Sequence, residues 1–518
     1  MSDSLELDRD LKVVQEVRNL VRRAVKAQEI LEQMSQEQVD AIVAAMAQAG
    51  ARDAKRLAEL AVRETEIGRV EDKVLKNLFA TKFLHERIRD MKTVGVVSED
   101  REHGVYEIAA PMGVVAGVVP TTNPTSTAMY KAIISIKARN AIVISPHPRS
   151  RKCTMEAVET VRKAAVAAGA PEGCISCLEE PGIAATNELM KNDGVSVIIA
   201  TGGPGIVKAA YSSGKPAFGV GAGNCPCYIE KTADVAAAAR KVVASKSFDN
   251  STICASEQSI ICDAAIKDAL KIELEKQGGY FMKPEERQKL EKILLTPQHA
   301  MTAATVGRTA EDLAGMAGFP VPKGTRVLIG PIDGVGEGYP LSHEKLSPVL
   351  AFYEVGDWRE ACALSIRLLE LGGLGHTMSM HSTDEKVIME FALRKPAMRI
   401  LVNTASSLGG VGGTTGLFPA LTLGCGTGGG NIISDNLGPQ HLVNRKRLAY
   451  GQREIEDLAK NLLAGTAFAS PAPAAPARQV KEEPRKPELS AATALRSEPD
   501  EEELIRRIVN EVFKRIGG

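Results

Sequence analysis

The 518-residue chain has few aromatic side chains and no excess of charge of either sign. Phe, Trp and Tyr together make up 4% of the residues, and 64 Lys and Arg residues balance 64 Asp and Glu residues. This balance does not point to a nucleic-acid partner, which a basic surface would attract. The hydrophobic share of 44% and the charged share of 25% are ordinary for a globular protein and argue against a disordered or fibrous chain.

Long apolar runs and a regular cysteine pattern are also lacking. No run approaches the ~18 apolar residues of a membrane span, and the start, MSDSLELDRDLK, is too charged for a signal peptide. We therefore expect a cytosolic protein without a membrane partner. Nine cysteines at irregular spacing predict free thiols, not a disulfide framework. Cys174 and Cys177 form a CxxC pair, but no second pair lies nearby, so we expect no metal site.

Glycine is abundant, with 46 residues, which is typical of a fold with many tight turns and suits an α/β enzyme. The chain exceeds the ~250–300 residues of a single core, so two or three domains are expected. Apolar residues recur at helical spacing from Asp10 to Ala49 and predict an opening helical layer. Over residues 105–230, short apolar runs alternate with helical stretches. This alternation predicts buried parallel strands in a doubly wound nucleotide-binding domain.

A second α/β segment, about residues 245–430, repeats this mixture and would form the other wall of a cleft. The predicted division is residues 1–240 for the N-terminal helices and the nucleotide-binding domain, 241–430 for the catalytic domain, 431–464 for a C-terminal oligomerisation segment, 465–500 for a linker, and 501–518 for an amphipathic helix.

The end of the chain has a composition of its own. From Gly465 to Asp500 the sequence holds six Pro and nine Ala without apolar periodicity, which predicts a flexible linker. The following EEELIRRIVNEVFKRIGG predicts a short amphipathic helix. Such a helix is marginal alone in water, so we expect it to fold on a partner. Its apolar face would comprise Leu504, Ile505, Ile508, Val509, Val512, Phe513 and Ile516.

The stretch FDNSTICASEQS, residues 248–259, carries the most informative cysteine. Cys254 follows a helical segment and stands among small and polar residues, outside any apolar run. This setting favours a thiol on a loop that faces a cleft. The alternative is a buried cysteine that fills the core.

This stretch resembles the nucleophile segment of CoA-acylating aldehyde dehydrogenases, in particular the aldehyde dehydrogenase half of bifunctional alcohol/aldehyde dehydrogenases. The resemblance covers about residues 105–445 and implies an aldehyde dehydrogenase-like α/β fold, with a Rossmann-like nucleotide-binding domain and an α/β catalytic domain. It leads us to expect no iron-dependent alcohol dehydrogenase half. The segments that carry it, in the family's order, are PTTNPTSTAMYKAI (120–133), SPHPRS (145–150), ATGGPGIVKAAY (200–211), GVGAGNCPCYIE (219–230), EKLSPVLAFYEV (344–355), GLGHT (373–377) and LTLGCGTGGGN (421–431).

The resemblance implies a reaction through a covalent thioester. Cys254 would attack the aldehyde carbonyl, and the side chain of Asn123 with the backbone N–H of Cys254 would bind the oxyanion. Hydride transfer to NAD⁺ would leave a thioester, which CoA would then accept. By the same resemblance His376 would assist deprotonation of CoA. The alternatives are a turn residue for Asn123 and a hydrogen-bonded structural histidine for His376.

One position bears on whether water or CoA accepts the acyl group. Val220 stands where hydrolytic relatives carry their general-base Glu, and a valine cannot activate water. No Asp or Glu occurs between Gly202 and Ile229, so a one-residue error of alignment would not change the conclusion. A hydrolytic aldehyde dehydrogenase remains the alternative, provided that a Glu reaches the cleft from a distant segment. A non-catalytic scaffold protein is the alternative of another class.

Three glycines predict a nucleotide contact. Gly202, Gly203 and Gly205 follow the strand VSVIIAT and precede a helix, so the backbone could approach a pyrophosphate at the start of that helix. A glycine that only serves the geometry of a turn is the alternative.

The resemblance adds five further cofactor-binding residues. It places Glu344 at the nicotinamide ribose, with a solvated surface Glu as the alternative, and includes Thr121 and Gly221. Ser145 and His147 replace the Lys and Glu that hydrolytic relatives use on the adenosine ribose, so the choice between NAD⁺ and NADP⁺ stays open. In acylating relatives NAD and CoA share this pocket.

The linker and the last helix resemble encapsulation peptides, which direct enzymes to bacterial microcompartments. The resemblance implies oxidation of propionaldehyde, with acetaldehyde as a second substrate, in a compartment that degrades 1,2-propanediol. Shell proteins or core enzymes would bind residues 501–518. A self-association helix and a membrane-surface helix are the alternatives, and the acids 500–503 argue against anionic lipid. We also expect a homodimer or homotetramer, with interface strands at Val105–Ala110 and after Asn431.

Overall fold

The computed structural model describes residues 8–464 of the chain. The predicted linker and amphipathic helix lie outside these residues. Among the helices described, none is both long enough and apolar enough to cross a membrane.

Helices and strands alternate over most of the described chain. The helices are α1 (Arg9–Glu32), α2 (Gln36–Arg52), α3 (Ala54–Thr65), α4 (Val70–Leu78), α5 (Leu84–Ile88), α6 (Pro124–Lys137), α7 (Arg151–Ala167), α8 (Ile183–Lys191), α9 (Pro204–Tyr211), α10 (Val235–Ser247), α11 (Lys267–Lys276), α12 (Pro284–Leu294), α13 (Ala310–Ala317), α14 (Trp358–Gly372), α15 (Glu385–Arg394), α16 (Ser406–Gly410) and α17 (Ile455–Ala464). The strands are β1 (Gly95–Asp100), β2 (Val105–Pro111), β3 (Val114–Val118), β4 (Ile142–Ser145), β5 (Ile175–Cys177), β6 (Val195–Thr201), β7 (Ala217–Val220), β8 (Cys225–Ile229), β9 (Glu257–Asp263), β10 (Gly279–Phe281), β11 (Val327–Pro331), β12 (Val349–Val355), β13 (Gly375–His381), β14 (Ala397–Val402) and β15 (Val443–Ala449).

The opening helical layer is confirmed. Helix α2 begins with a capping box, in which Ser35 Oγ accepts the backbone N–H of Gln38 and the Gln38 side chain accepts the backbone N–H of Ser35. Its buried face includes Val39 and Ile42, which join the same apolar core as the strands of the first sheet. Burial of this face stabilises helices whose isolated segments would be marginal in water.

The first sheet has five parallel strands in the order β5-β4-β3-β6-β7. The chain runs outward from β3 to β5 and then returns to the other side of β3 with β6 and β7. The order therefore reverses between β3 and β6, and the carboxyl ends of these strands border the crevice in which doubly wound folds bind ligands. This confirms the doubly wound prediction.

The second sheet has seven parallel strands in the order β10-β11-β12-β9-β8-β13-β14. The sequence prediction grouped β8 with the first sheet, but β8 pairs between β9 and β13. The chain passes between the sheets at residues 221–224, so the predicted boundary at 240 falls inside α10. A short apolar run does not indicate which sheet it joins, because its partners are distant in sequence.

The third sheet is antiparallel, with the order β1-β2-β15. Val105 of β2 pairs with Ala449 of β15, so the two predicted interface segments are neighbours in one sheet. Most side chains of β1 and β15 are exposed. A role of these strands in a dimer or tetramer stays a prediction.

Candidate active site

Cys254 lies on the loop between α10 and β9, at the amino end of a central strand of the seven-stranded sheet. It is partly exposed, whereas seven of the nine cysteines are buried, and all nine are free thiols. The structure therefore confirms a loop-borne thiol at this position. The sulfur is nevertheless enclosed: burial raises the pKa of Cys254 to about 12, and the negative charge of Glu344 adds to the effect. At this pKa the Cys254 thiol would keep its proton at neutral pH.

The backbone a few residues before Cys254 is left-handed. Asp249, Asn250 and Ser251 have φ values of 46°, 51° and 67°. Each such residue costs roughly 1–2 kcal/mol, and left-handed residues seldom follow one another. Side-chain contacts secure the turn: Asn250 Nδ2 donates to the carbonyl of Gly307 at 2.9 Å, and the hydroxyls of Ser251 and Ser256 lie 3.0 Å apart.

Two buried lysines from α4 hold the same turn. Lys73 Nζ and Lys76 Nζ donate to Asp249 Oδ2 at 2.9 Å and 2.5 Å. Burial acts to raise the pKa of Asp249, but the two ammonium groups outweigh it and keep the pKa below its usual value. The backbone N–H of Asp249 donates to Asp72 Oδ2 at 2.9 Å. The sequence analysis missed this cluster. In the sequence, charged residues of a short helix that are buried look the same as charged residues on its solvent-exposed face, and only the tertiary contacts distinguish them.

Asn123 reaches residues 248–256, the loop that carries Cys254 (the proposed nucleophile loop), from the five-stranded sheet. It precedes α6, after the carboxyl end of β3, and its Nδ2 donates to the backbone carbonyl of Thr252 at 2.9 Å. Its Oδ1 accepts Lys76 Nζ at 2.6 Å. The predicted oxyanion donor therefore lies against the loop two residues before Cys254.

Gly223 packs tightly against the backbone of Cys254. A Cβ atom at this position would lie 2.1 Å from the carbonyl oxygen of Cys254 and 3.2 Å from Cε1 of His376. Only glycine fits without displacing one of them. Cys225 Sγ donates to the same carbonyl at 3.3 Å. Both residues lie in GVGAGNCP, and the glycine-rich pattern alone did not distinguish Gly223 from its neighbours.

His376 lies close to Gly223, and its surroundings make it a poor base. It is fully buried at the start of β13; its Nδ1 lies 3.0 Å from Thr377 Oγ1, and its Nε2 has no hydrogen-bond partner. Burial lowers the pKa of His376 to about 3, and the charge of Arg399 acts in the same direction. The ring is therefore neutral. Its assigned role in deprotonating CoA stays a prediction.

Glu344 reaches the site from a distant loop. Its Oε1 accepts the backbone N–H of Gly223 at 3.0 Å, and the side chain is buried. The alternative of a solvated surface Glu is therefore wrong. Burial raises the pKa of Glu344 to about 7, against the opposing effects of the Gly223 hydrogen bond and of Lys246 and Lys345. A carboxylate with this pKa suits proton transfer near neutral pH.

The predicted nucleotide residues follow the carboxyl ends of the five-stranded sheet. Thr121 Oγ1, after β3, is buried without a hydrogen-bond partner, which suits a ligand contact. Ser145 is buried at the end of β4, and its hydroxyl lies 2.8 Å from Thr186 Oγ1. His147 is exposed and accepts the backbone N–H of Arg149 at 3.1 Å, and burial of part of its ring lowers its pKa.

The glycines predicted to contact the nucleotide have more open surroundings than Gly223. A Cβ atom on Gly203, Gly205 or Gly221 would meet open space, whereas one on Gly202 would lie 2.7 Å from Ile206 Cγ2. Open space beside these backbones fits a nucleotide at the switch point between β3 and β6. Val220, buried at the end of β7, offers no acid or base to that region.

The chain matches known proteins over most of its length. Residues 11–280 match the model of the aldehyde dehydrogenase family. The bifunctional aldehyde-alcohol dehydrogenase AdhE of Escherichia coli K12 is 46% identical over 441 residues, which are 84% of this chain and 49% of that protein. The chain thus spans about half the length of this bifunctional relative.

Two solved structures share the fold over nearly their whole length. An acetylating aldehyde dehydrogenase from Geobacillus thermoglucosidasius is 52% identical with a TM-score of 0.86, covering 87% of this chain and 99% of its own. A propionaldehyde dehydrogenase from Rhodopseudomonas palustris, with bound CoA and an acylated cysteine, is 29% identical with a TM-score of 0.75, covering 84% and 97%. The predicted aldehyde dehydrogenase-like α/β fold is confirmed, and the chain belongs to the aldehyde dehydrogenase family.

Proposed function

We propose that the protein is a CoA-acylating aldehyde dehydrogenase, which converts an aldehyde, NAD⁺ and CoA into an acyl-CoA and NADH. The observation that carries the proposal is that three distant parts of the chain meet around Cys254: Asn123 contacts its loop, and Glu344 and His376 lie against Gly223, which packs on the Cys254 carbonyl. The acetylating and CoA-bound relatives support the choice of CoA as the acceptor.

The first step joins Cys254 Sγ to the aldehyde carbonyl carbon. The thiol proton must leave, because burial keeps the pKa of Cys254 at about 12. Glu344, with a pKa of about 7, is the better acceptor at neutral pH, since the pKa of His376 is only about 3. Negative charge then develops on the carbonyl oxygen, where the Asn123 amide and the backbone N–H of Cys254 would donate hydrogen bonds.

The second half of the reaction releases the product. A bound nicotinamide would supply the hydride acceptor for the former carbonyl carbon, and a thioester would then remain on Cys254. The CoA thiol would lose its proton as its sulfur bonds to the thioester carbon, the bond from that carbon to Cys254 Sγ would break, and the departing thiolate would take up a proton. Thr121, Gly202, Gly203, Gly205 and Gly221 would contact the nucleotide, together with Ser145, His147 and Glu344.

The first test is NADH formation from propanal and NAD⁺, with and without CoA, for the wild type and Cys254→Ala. We expect strong dependence on CoA, and a loss of at least ~10⁴-fold in kcat for the variant, as for removal of a nucleophile in other enzymes. NAD⁺ binding should be nearly intact in the variant. Turnover to free propionate without CoA would instead support a hydrolytic enzyme, with Glu344 as the residue able to activate water.

We propose propionaldehyde and acetaldehyde as the substrates, which the similarity to a propionaldehyde dehydrogenase supports. One methylene group in an apolar pocket is worth only ~1–3 kcal/mol, so both aldehydes should turn over. The ratio of kcat/KM for propanal, acetaldehyde and butanal measures the preference. An enzyme that uses neither propanal nor acetaldehyde would contradict this part of the proposal.

We also propose that residues 501–518 direct the enzyme into a bacterial microcompartment that degrades 1,2-propanediol, where they bind shell proteins or core enzymes. The support is the Pro- and Ala-rich stretch followed by the amphipathic pattern of the last residues. Deletion of residues 501–518 should abolish co-purification with shell proteins and leave kcat unchanged. Unchanged partition into the compartment would contradict the proposal.

A further inference from the structure

Lys76 connects three separate parts of the candidate site. From α4, its Nζ donates to Asn123 Oδ1 at 2.6 Å, Asp249 Oδ2 at 2.5 Å and Thr252 Oγ1 at 3.0 Å. The side chain is only 3% exposed. It therefore joins the loop after β3, which carries the predicted oxyanion donor, to the loop that carries the nucleophile Cys254.

The contact with Asn123 determines how the amide group is oriented. An ammonium group donates hydrogen bonds and accepts none, so the amide must present its oxygen to Lys76. On the opposite side the backbone carbonyl of Thr252 accepts the Nδ2 group at 2.9 Å. Both neighbours favour the same orientation, and in it Nδ2 donates to the nucleophile loop, with Thr122 Oγ1 as a second, more distant acceptor at 3.3 Å. A cation on Oδ1 also polarises the amide and strengthens its N–H groups as donors.

The neighbouring Lys73 provides a matched comparison. It lies one helical turn before Lys76, is buried to the same extent, and donates to Asp249 Oδ2 at 2.9 Å. Its other partner is the backbone carbonyl of Thr122 at 2.9 Å, not the side chain of Asn123. Both lysines thus pair with the buried carboxylate of Asp249, but only Lys76 bonds to the amide oxygen of Asn123.

We propose that Lys76 is a positioning residue for the acylation step: it holds the Asn123 amide with its N–H groups toward the carbonyl oxygen of the bound aldehyde. Lys76 does not touch the substrate and acts through Asn123. This inference rests on the proposed function, because it assigns to Asn123 the oxyanion that forms when Cys254 attacks an aldehyde.

A double-mutant cycle in the full chain tests the inference. CoA-dependent NADH formation from propanal gives kcat and KM for the wild type, Lys76→Met, Asn123→Ala and the double variant. Removal of an oxyanion donor costs about 10²–10³-fold in kcat, so we expect a loss of this size for Asn123→Ala and about 10–10²-fold for Lys76→Met. If Lys76 acts through Asn123, its replacement should lower kcat by less than about threefold once Asn123 has been replaced by alanine.

Lys73→Met is the control in the same cycle. It removes one ammonium group from Asp249 but no contact of the Asn123 side chain, so its fold-effect on kcat should be the same in the wild type and in the Asn123→Ala background. Thermal unfolding and NAD⁺ binding show whether each variant is folded. If Lys76→Met does not fold, Lys76→Gln takes its place, because it removes the charge and keeps a neutral donor.

The outcomes separate the two proposals. Equal fold-effects of the Lys76 substitution with and without Asn123 would overturn the positioning role, and so would a kcat of Lys76→Met close to that of the wild type. In both cases an active, CoA-dependent wild type would leave the proposed function standing. A wild type without CoA-dependent oxidation of aldehydes would contradict the proposed function itself.

Discussion

The nucleophile loop and the glycine-rich turn after β6 lie on two sides of the candidate site and differ in how tightly the rest of the protein packs against them. Around Cys254 the backbone is buried, partly left-handed, and held by two lysines and several carbonyl contacts. At Gly203 and Gly205 the chain is exposed, and an added Cβ atom would meet open space. Contacts within the protein fix the conformation of the nucleophile loop, whereas the glycine-rich turn leaves its backbone accessible to a ligand.

The difference follows from what each region has to do. Bond formation at a carbonyl requires the sulfur and the oxyanion donors to be in place before the reaction, since misplacement by about 1 Å can cost 10²-fold in rate. The cost of the left-handed turn is therefore offset by contacts that fix the loop. A nucleotide contact through backbone N–H groups needs instead a backbone that a phosphate can approach.

Loss of the carboxylate that holds the turn should have the largest effect. Asp249→Asn keeps the shape but leaves Lys73 and Lys76 buried without their anion, which should lower the free energy of unfolding by about 3–5 kcal/mol. Urea unfolding measures it. The control is Asp90→Asn, which removes an exposed ion pair with Arg89 and should cost at most about 1 kcal/mol. Equal losses for the two variants would show that the turn does not depend on the buried cluster.

Two glycine substitutions sharpen the comparison between the regions. Gly223→Ala places a methyl group against the Cys254 carbonyl and should lower kcat by about 10²-fold through displacement of the loop. Gly221→Ala, two residues earlier, meets open space and should change the free energy of unfolding by less than about 1 kcal/mol. If Gly221 contacts the nucleotide, its effect should be on KM for NAD⁺. A normal kcat for Gly223→Ala would contradict the assigned contact.

The smallest expected effect concerns the dependence of stability on pH. Because the pKa of Glu344 is raised from 4.5 to about 7, the folded protein binds more protons than the unfolded chain between these values, and stability falls as the pH rises through this window. Glu344→Gln should reduce this fall by about 1–2 kcal/mol between pH 5 and pH 8. Urea midpoints at four pH values measure the slope. Glu257, also raised to about 7, should leave part of the slope in place.

Much of the fold and the centre of the site could be predicted from residues close together in the chain. Apolar runs bounded by glycine predicted the parallel strands, and the setting of Cys254 predicted an accessible loop thiol. Asn123 was predicted as its partner by family resemblance, and the structure places it against the same loop. The assignments of Ser145, His147 and the exposed glycines to a nucleotide stay predictions, because no contact within the chain distinguishes them.

Other features depended on distant pairings. The sequence contains no Asp or Glu between Gly202 and Ile229, as stated. The structure nevertheless places a carboxylate beside this segment, because Glu344 contacts Gly223 from more than a hundred residues away. The strand β8 joined a different sheet from the one predicted, since its neighbours are separated from it in sequence. Local patterns contain no information on such partners.

The sequence by itself determined the alternation of strands and helices and the family, and it singled out Cys254 as the candidate thiol, because these depend on periodicity and on motifs of adjacent residues. Only the tertiary structure decided which charges are buried, how the Asn123 amide is oriented, and which carboxylate lies against Gly223. Those properties arise when groups far apart in the chain lose water together, and burial is what changes the pKa of Glu344 and of Cys254.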